Sequence, residues 1–288
     1  MKHFPPSELV LTNNNEVYHL GLKPENLAHK IILVGEPKRV ELVSSFFDVI
    51  EHKSQHREFI THTGFFQGKR ISVLSTGIGT DNIDIVINEL DALVNIDLNS
   101  REEKKIKTSL EIIRIGTSGI LHAEVPVLSY ILSTYSFGLD NVAHFYDIHF
   151  SKEEIDLKNY LIKEIKLPPF VHPYLIASSL LINKKLKNEK VVEGITITGS
   201  GFYGPQGREL RLKLKEPEMI DSFSNFEINE IKINNFEMEG SALAALGKAL
   251  GHECTTICLG IANRMTNAFS SDYNVEMKKL IQHVLERI

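Results

Sequence analysis

Ile31-Ile32-Leu33-Val34-Gly35-Glu36-Pro37-Lys38-Arg39 reads as a short buried strand that runs into a glycine turn and then a basic residue. Four apolar residues closed by glycine and proline have the length of a strand, too short for a buried helix. Similar apolar runs recur at 70–75, 112–115, 191–198 and 255–261. Between and after them, apolar residues return at helical spacing over 82–94, 153–166, 173–187, 209–219, 238–250 and 272–287. Strands alternating with helices predict an α/β protein with one central mixed sheet flanked by helices. No repeat and no Pro/Gly-rich linker divides the chain, so a single domain over 1–288 is expected, with 1–16 as an N-terminal extension. The charged, apolar-poor stretch 95–108 is expected to be a surface excursion.

At 288 residues with 42% hydrophobic content, the chain can bury a substantial core. A formal charge of −5 and no long run of like charge exclude nucleic acid or an acidic membrane surface as expected partners. Cys254 and Cys258 lack the second pair that a structural zinc site needs, so buried thiols in a reducing compartment are expected. The first residues have neither a signal-peptide core nor an apolar stretch long enough to span a bilayer, which makes the cytoplasm the expected location.

Several segments carry chemistry. A glycine at a strand end lets backbone N–H groups approach an anion, and an arginine one turn later, such as Arg39, can close on it. Arg57 lies between His56 and Glu58, where an ion pair with Glu58 is the plain alternative. His52, His56 and His62 are too irregularly spaced to suggest a metal site. Ser75-Thr76-Gly77-Ile78-Gly79-Thr80-Asp81-Asn82 follows a strand, but Asn82 stands where a dinucleotide fingerprint needs its third glycine. Arg114-Ile115-Gly116-Thr117-Ser118-Gly119 joins a strand to small and hydroxyl residues suited to phosphate oxygens, without the lysine of a triphosphate-binding loop. Gly201-Phe202-Tyr203-Gly204-Pro205-Gln206-Gly207-Arg208 sets an aromatic ring, an amide and a guanidinium in one turn-rich loop; alone it reads better as a surface turn with an exposed arginine. Phe236-Glu237-Met238-Glu239 puts two carboxylates at the opening of an apolar helix, where they either cap it or bind a ligand.

Taken in order, these segments resemble bacterial uridine phosphorylases, a branch of the nucleoside phosphorylase family. The match adds Val-Tyr-His-Leu-Gly-Leu at 17–22 and Asn-Arg at 263–264, and runs from about residue 17 to the C-terminus. The resemblance implies a single-domain α/β phosphorylase that uses phosphate as co-substrate and requires no cofactor, assembled as a homodimer or homohexamer with sites shared between subunits. It assigns phosphate to Gly35, Arg39, Arg114 and Thr117, with Arg57 from the neighbouring subunit. Ribose falls to Met238 and Glu239, with His19 of the neighbour near the 5′-hydroxyl. The base falls to Phe202, Gln206 and Arg208, with Arg264 close by. Gln206 offers the donor and acceptor that the N3–H and a carbonyl of uracil require, and Arg208 adds a donor. Arg39, Arg114, Gln206, Arg208 and Glu239 are the expected catalytic set.

Purine-specific relatives carry an aspartate near the position of Asn263, so Ala262-Asn263-Arg264 argues for uracil. A monovalent cation site would correspond to Glu58, Ile78 and Asn82, with Asn82 departing from the usual serine, so potassium binding is an open expectation. Glu36, Gly240, Thr80-Asp81-Asn82 and the segment 123–150 also depart from the family's pattern. A purine nucleoside phosphorylase, a nucleosidase of the same fold and a non-catalytic nucleoside-binding protein are the alternatives.

Overall fold

The computed structural model of the chain describes residues 2–288. The opening strand, β1 (Lys30–Val34), passes through Gly35 into α1 (Pro37–Ser44), with proline at the helix start, where its missing N–H costs nothing. A hairpin of β2 (Val49–His56) and β3 (Phe59–Phe66) follows, then β4 (Lys69–Ser75) and α2 (Thr80–Asn95). The excursion after α2 holds a two-stranded hairpin, β5 (Ile96–Asp97) and β6 (Glu102–Glu103), anchored by buried Leu98. Next come β7 (Glu111–Ile120), β8 (Tyr130–Gly138), α3 (Lys152–Glu164), β9 (Tyr174–Ala177) and α4 (Leu180–Leu186). The chain closes with β10 (Val191–Thr198), α5 (Met219–Ser224), β11 (Glu227–Ile228), β12 (Ile231–Glu237), α6 (Gly240–Leu250), β13 (Glu253–Asn263), β14 (Ala268–Phe269) and α7 (Asn274–Arg287).

The main sheet is mixed, in the order β11-β12-β10-β8-β13-β7-β1-β4-β3-β2. β1 lies parallel to both β4 and β7, and β13 lies parallel to β7, so the carboxyl ends of β1, β4, β7 and β13 point the same way. An additional antiparallel pairing of Phe236 with Gly119 and Asn235 with Ile120 ties β12 to β7. It closes β7, β13, β8, β10 and β12 into a ring, which brings the end of β12 against the end of β7.

One apolar layer packs α2 and α6 on the sheet through Ile83, Val86, Leu90, Leu243 and Leu246. Leu9, Val17, Leu20 and Leu22 belong to the same layer, so the N-terminal segment is part of this core. The opposite face is covered by α1, α4 and α7.

Two expected helices are corrected. Residues 173–187 split into β9 and α4: Tyr174 to Ala177 add to the edge of β8, and the Ser179 hydroxyl accepts from Ile182 N to start α4. Residues 209–218 are irregular, and only Met219–Ser224 is helical. Leu210 and Leu212 are 73% and 87% exposed, so a helix there would have no apolar face to bury, and Pro217 interrupts the run. The helix expected from residue 238 starts at Gly240, leaving Glu237 at the end of β12 and Glu239 at the helix cap.

Candidate functional site

The strand ends surround a cavity of about 870 Å³. Crevices at the carboxyl ends of parallel strands are where α/β sheets bind ligands, because loops there diverge and leave backbone N–H groups free. Of the residues singled out in the sequence, Gly35, Arg39, Arg114, Thr117, Phe202, Gln206, Arg208, Met238, Glu239 and Arg264 all line this one cavity, together with Glu58, Ile78 and Asn82. His19 and Arg57 do not line it.

At one end, Arg39 and Arg114 reach in from α1 and β7. Arg39 is 7% exposed, and its guanidinium has only long contacts, to the Ile115 carbonyl at 3.4 Å and to half-exposed Glu36 at 3.9 Å. Burial lowers its pKa, and the neighbouring Arg114 lowers it further against the opposing pull of Tyr273. Arg114 is paired with two buried carboxylates: Nη1 lies 3.1 Å from Glu237 Oε2 in an ion pair, and Nη2 donates to Glu239 Oε2. Burial works against the charge of Arg114, but Glu239 and Glu237 outweigh it and hold the group above its ordinary range. Cys258 Sγ lies 3.8 Å from Nη1, and burial pushes that thiol up to about 12. Cys254 is also buried, so both thiols sit in the core.

Glu237, read from the sequence as a helix cap or a ligand carboxylate but given no part in the phosphate, ribose or base assignments, takes the capping role. Its carboxylate accepts from the backbone N–H of Glu239 at 2.9 Å and of Gly240 at 2.8 Å, and from the Thr198 hydroxyl at 2.5 Å. It therefore caps α6 and holds Arg114 at once, although burial raises its pKa. The sequence signal is a carboxylate three residues ahead of Gly240, at the opening of an apolar helix. Glu239 also accepts from Gly79 N at 2.7 Å, which ties the α6 cap to the glycine loop ahead of α2. Gly79 sits at φ +102, a conformation open to glycine and strained for other residues.

At the other end, the loop after β10 forms a 3₁₀ turn at Gly204–Gln206 rather than a bare surface turn, and Gln206 is 3% exposed. The Arg208 guanidinium lies 3.8 Å from the centre of the Phe202 ring and donates to the Phe202 carbonyl and to Gln206 Oε1, both at 2.6 Å. Its pKa is lowered to about 10 by burial and by facing Arg264. Arg264 in turn donates to the main-chain carbonyls of Gln206 at 2.8 Å and Gly207 at 3.2 Å, so it braces the loop. Asn263 has all its polar capacity spent: Nδ2 donates to the His122 and Val125 carbonyls, and Oδ1 accepts from Met265 N and Thr266 N. Asn267, Ala268 and Phe269 also line the cavity without having been singled out, and Ser118, part of the Arg114–Gly119 motif, joins them with its hydroxyl buried and without a protein partner.

Arg57 stands at the tip of the β2–β3 hairpin with φ +54, and its guanidinium lies 5.9 Å from the Tyr18 ring rather than against Glu58. The Tyr18 ring packs edge-on to His19 at 5.0 Å. The two residues assigned to a neighbouring subunit thus share one surface cluster. The hairpin sets His52 and His62 on different strands, and among the described residues no group of three His, Cys, Asp or Glu side chains could hold a metal ion. Among the same residues, no helix is long and apolar enough to cross a membrane.

A family model described as the phosphorylase superfamily matches residues 29–287. A uridine phosphorylase of Thermococcus kodakarensis is 28% identical over 275 residues, covering 93% of this chain and 85% of its own. A uridine phosphorylase of Escherichia coli is 26% identical over 264 residues, 88% of each chain. The crystal structure of a Trypanosoma brucei nucleoside phosphorylase, described as showing uridine phosphorylase activity, is similar with a TM-score of 0.89 and 28% identity over 97% of this chain and 98% of that one.

Proposed function

The chain belongs to the phosphorylase superfamily, and from that premise we propose that it is a uridine phosphorylase, a pentosyltransferase that splits uridine with inorganic phosphate into uracil and ribose 1-phosphate. One observation carries the reading: a single cavity holds two buried arginines at one end, the Gln206–Arg208 pair at the other, and Glu239 beside the arginines. The spacing of chemistries matches the order of phosphate, sugar and base in the reactants.

Phosphate attacks C1′ from the face opposite the departing base, through a transition state with oxocarbenium character. Arg39, whose own contacts are long, supplies charge-assisted hydrogen bonds to the dianion, with Gly35 and Thr117 offering donors beside it. Arg114 faces the same anion while Glu237 fixes its plane. Glu239 accepts from ribose hydroxyls, with Met238 against the sugar. Gln206 pairs with the uracil edge, and Arg208 stabilises the negative charge that spreads over the uracil oxygens, so no dedicated general acid is needed. The fully bonded Asn263 leaves no free acid or donor for a purine ring, which supports the pyrimidine reading.

The reading extends to a role in pyrimidine salvage in the cytoplasm and to a homodimer or homohexamer in which the partner subunit supplies His19 and Arg57. Both residues lie outside this chain's own cavity lining, which is what a shared site requires. A potassium ion at Glu58, Ile78 and Asn82 is part of the same reading. The donor set is oxygen-rich but closed by its own contact, Asn82 Nδ2 to Glu58 Oε1 at 3.4 Å, so Asn82 must turn its amide to offer Oδ1.

The test is loss of ultraviolet absorbance from uridine with and without phosphate, run beside inosine. Turnover of uridine only with phosphate is expected. Turnover without phosphate would make the protein a nucleosidase, activity on inosine alone would make it a purine enzyme, and binding without turnover would leave a nucleoside-binding protein.

A further inference from the structure

Apart from the cavity, the chain builds a second polar cluster around one carboxylate. Glu89 on α2 accepts from His19 N at 3.0 Å, from Leu20 N at 2.8 Å and from the His19 ring, whose Nδ1 lies 2.6 Å from Oε1. A carboxylate can only accept, so in the neutral imidazole this pattern assigns the proton to Nδ1 and leaves Nε2 as an acceptor. The His19 backbone is held as firmly as its ring: His56 Nδ1 donates to the His19 carbonyl at 2.9 Å, and Tyr18 packs edge-on to both histidines. The His19 side chain still keeps 30% of its surface exposed, against 15% for Glu89. The cluster therefore presents a ring of fixed orientation with one nitrogen free.

The geometry points to Glu89 as a positioning residue for nucleoside binding, holding His19 so that Nε2 accepts from the 5′-hydroxyl of the nucleoside in the partner subunit's site. The inference rests on the preceding reading that His19 serves a neighbouring site, and it names the group that makes His19 fit to do so. A sugar hydroxyl is a donor, and a ring whose Nδ1–H is already committed to Glu89 meets it with a lone pair. Two oxygens are needed to satisfy three donors. A glutamine has one oxygen and would turn an NH₂ toward an N–H, so it cannot replace Glu89 here. The helix that carries Glu89 also borders the chain's own cavity at Asn82, seven residues earlier on the same face and about 10 Å along the axis.

The experiment compares uridine with 5′-deoxyuridine at saturating phosphate in the wild type, Glu89→Gln, His19→Ala and the double variant. Glu89→Gln is expected to raise KM for uridine about tenfold, the size of one hydrogen bond, with kcat nearly unchanged and KM for 5′-deoxyuridine unmoved. His19→Ala should give the same selective loss, and the double variant no more than either single one. Glu89→Asp, which keeps the charge but draws it back by one methylene, should show the same selectivity and serves if the glutamine variant folds poorly. Equal losses on both substrates, or none, in the Glu89 variants while His19→Ala remains selective would overturn the role of Glu89 and leave the shared site standing. A His19→Ala enzyme that does not distinguish the two substrates would overturn both. A wild type inactive on uridine with phosphate would overturn the functional reading itself.

Discussion

Arginine is used in opposite ways at the two ends of the cavity. Arg114 lies in the middle of the sheet, 4% exposed, clamped between two buried carboxylates that hold its charge above the ordinary range despite the cost of burial. Arg208 lies on a loop over the Phe202 ring, held by a carbonyl and an amide oxygen, and burial with Arg264 opposite lowers its pKa to about 10. The first arrangement is part of the fold, because removing the guanidinium would leave two buried carboxylates side by side with no positive charge between them. The second is a loop contact whose partners are a carbonyl and an amide oxygen, so losing the guanidinium leaves no buried charge behind. The anion end is thus rigid by electrostatic necessity, and the base end is shaped by a loop that can be altered without harm to the core.

The largest effect should follow Arg114→Ala, which strands Glu237 and Glu239 without a counter-charge. Activity should fall by more than about 10³, and stability by about 3–5 kcal/mol, read by denaturant titration beside steady-state kinetics. Arg208→Ala should lose about 10²–10³ in turnover on uridine while its unfolding curve stays within about 1 kcal/mol of wild type. If the Arg208 variant melts as early as the Arg114 variant, the contrast between a structural and a surface arginine is broken.

The strand ends were legible because each is a local pattern: apolar run, glycine, then a charged or hydroxyl residue. Gly35, Arg39 and Thr117 follow that pattern, Arg114 stands within the strand before its glycine, and the resemblance assigns all four to one phosphate. What the local pattern could not contain was pairing across the sheet. Glu237 and Arg114 meet only because β12 closes onto β7 through Phe236 and Gly119, more than a hundred residues apart. The irregular stretch 209–218 read as a helix for the complementary reason. Leu210 and Leu214 lie four apart, but Leu212 falls between them, and Leu210 and Leu212 stand in solvent with no face to bury. Phe269 carries no such signal, because an aromatic side chain acquires a role from the space it faces, and that space is a tertiary property.

Arg264 tests whether the base end is a loop held in place or a set of independent contacts. Its two hydrogen bonds go to main-chain carbonyls, of Gln206 and Gly207, so Arg264→Ala should free the loop. KM for uridine should rise about tenfold, with a smaller change in kcat and little change in KM for phosphate. An equal rise in both KM values would mean that the loop and the anion end are mechanically one unit.

The smallest effect concerns pH and sharpens the same contrast. His62, His122 and His283 are buried, and in each the pKa is lowered chiefly by burial. The folded state therefore binds fewer protons than the unfolded chain. The stability these residues contribute is complete above their unfolded pKa of about 6.5 and is lost as pH falls through and below it. The melting temperature should accordingly decline from pH 7 to pH 5. The anion end has no such histidine among its contacts, whereas the His122 carbonyl accepts from Asn263 Nδ2 and its ring Nε2 donates to the Ile233 carbonyl at 2.9 Å. Protonating His122 should loosen the turn that Asn263 holds before it disturbs the cap of α6. Hydrogen-exchange protection at Met265 and Thr266, whose N–H groups donate to Asn263, should fall first, while protection at Glu239 and Gly240 persists. Simultaneous loss at both pairs would show that acid unfolds the domain as a whole, and the division of the cavity into a charge-clamped end and a loop-built end would then have no counterpart in its dynamics.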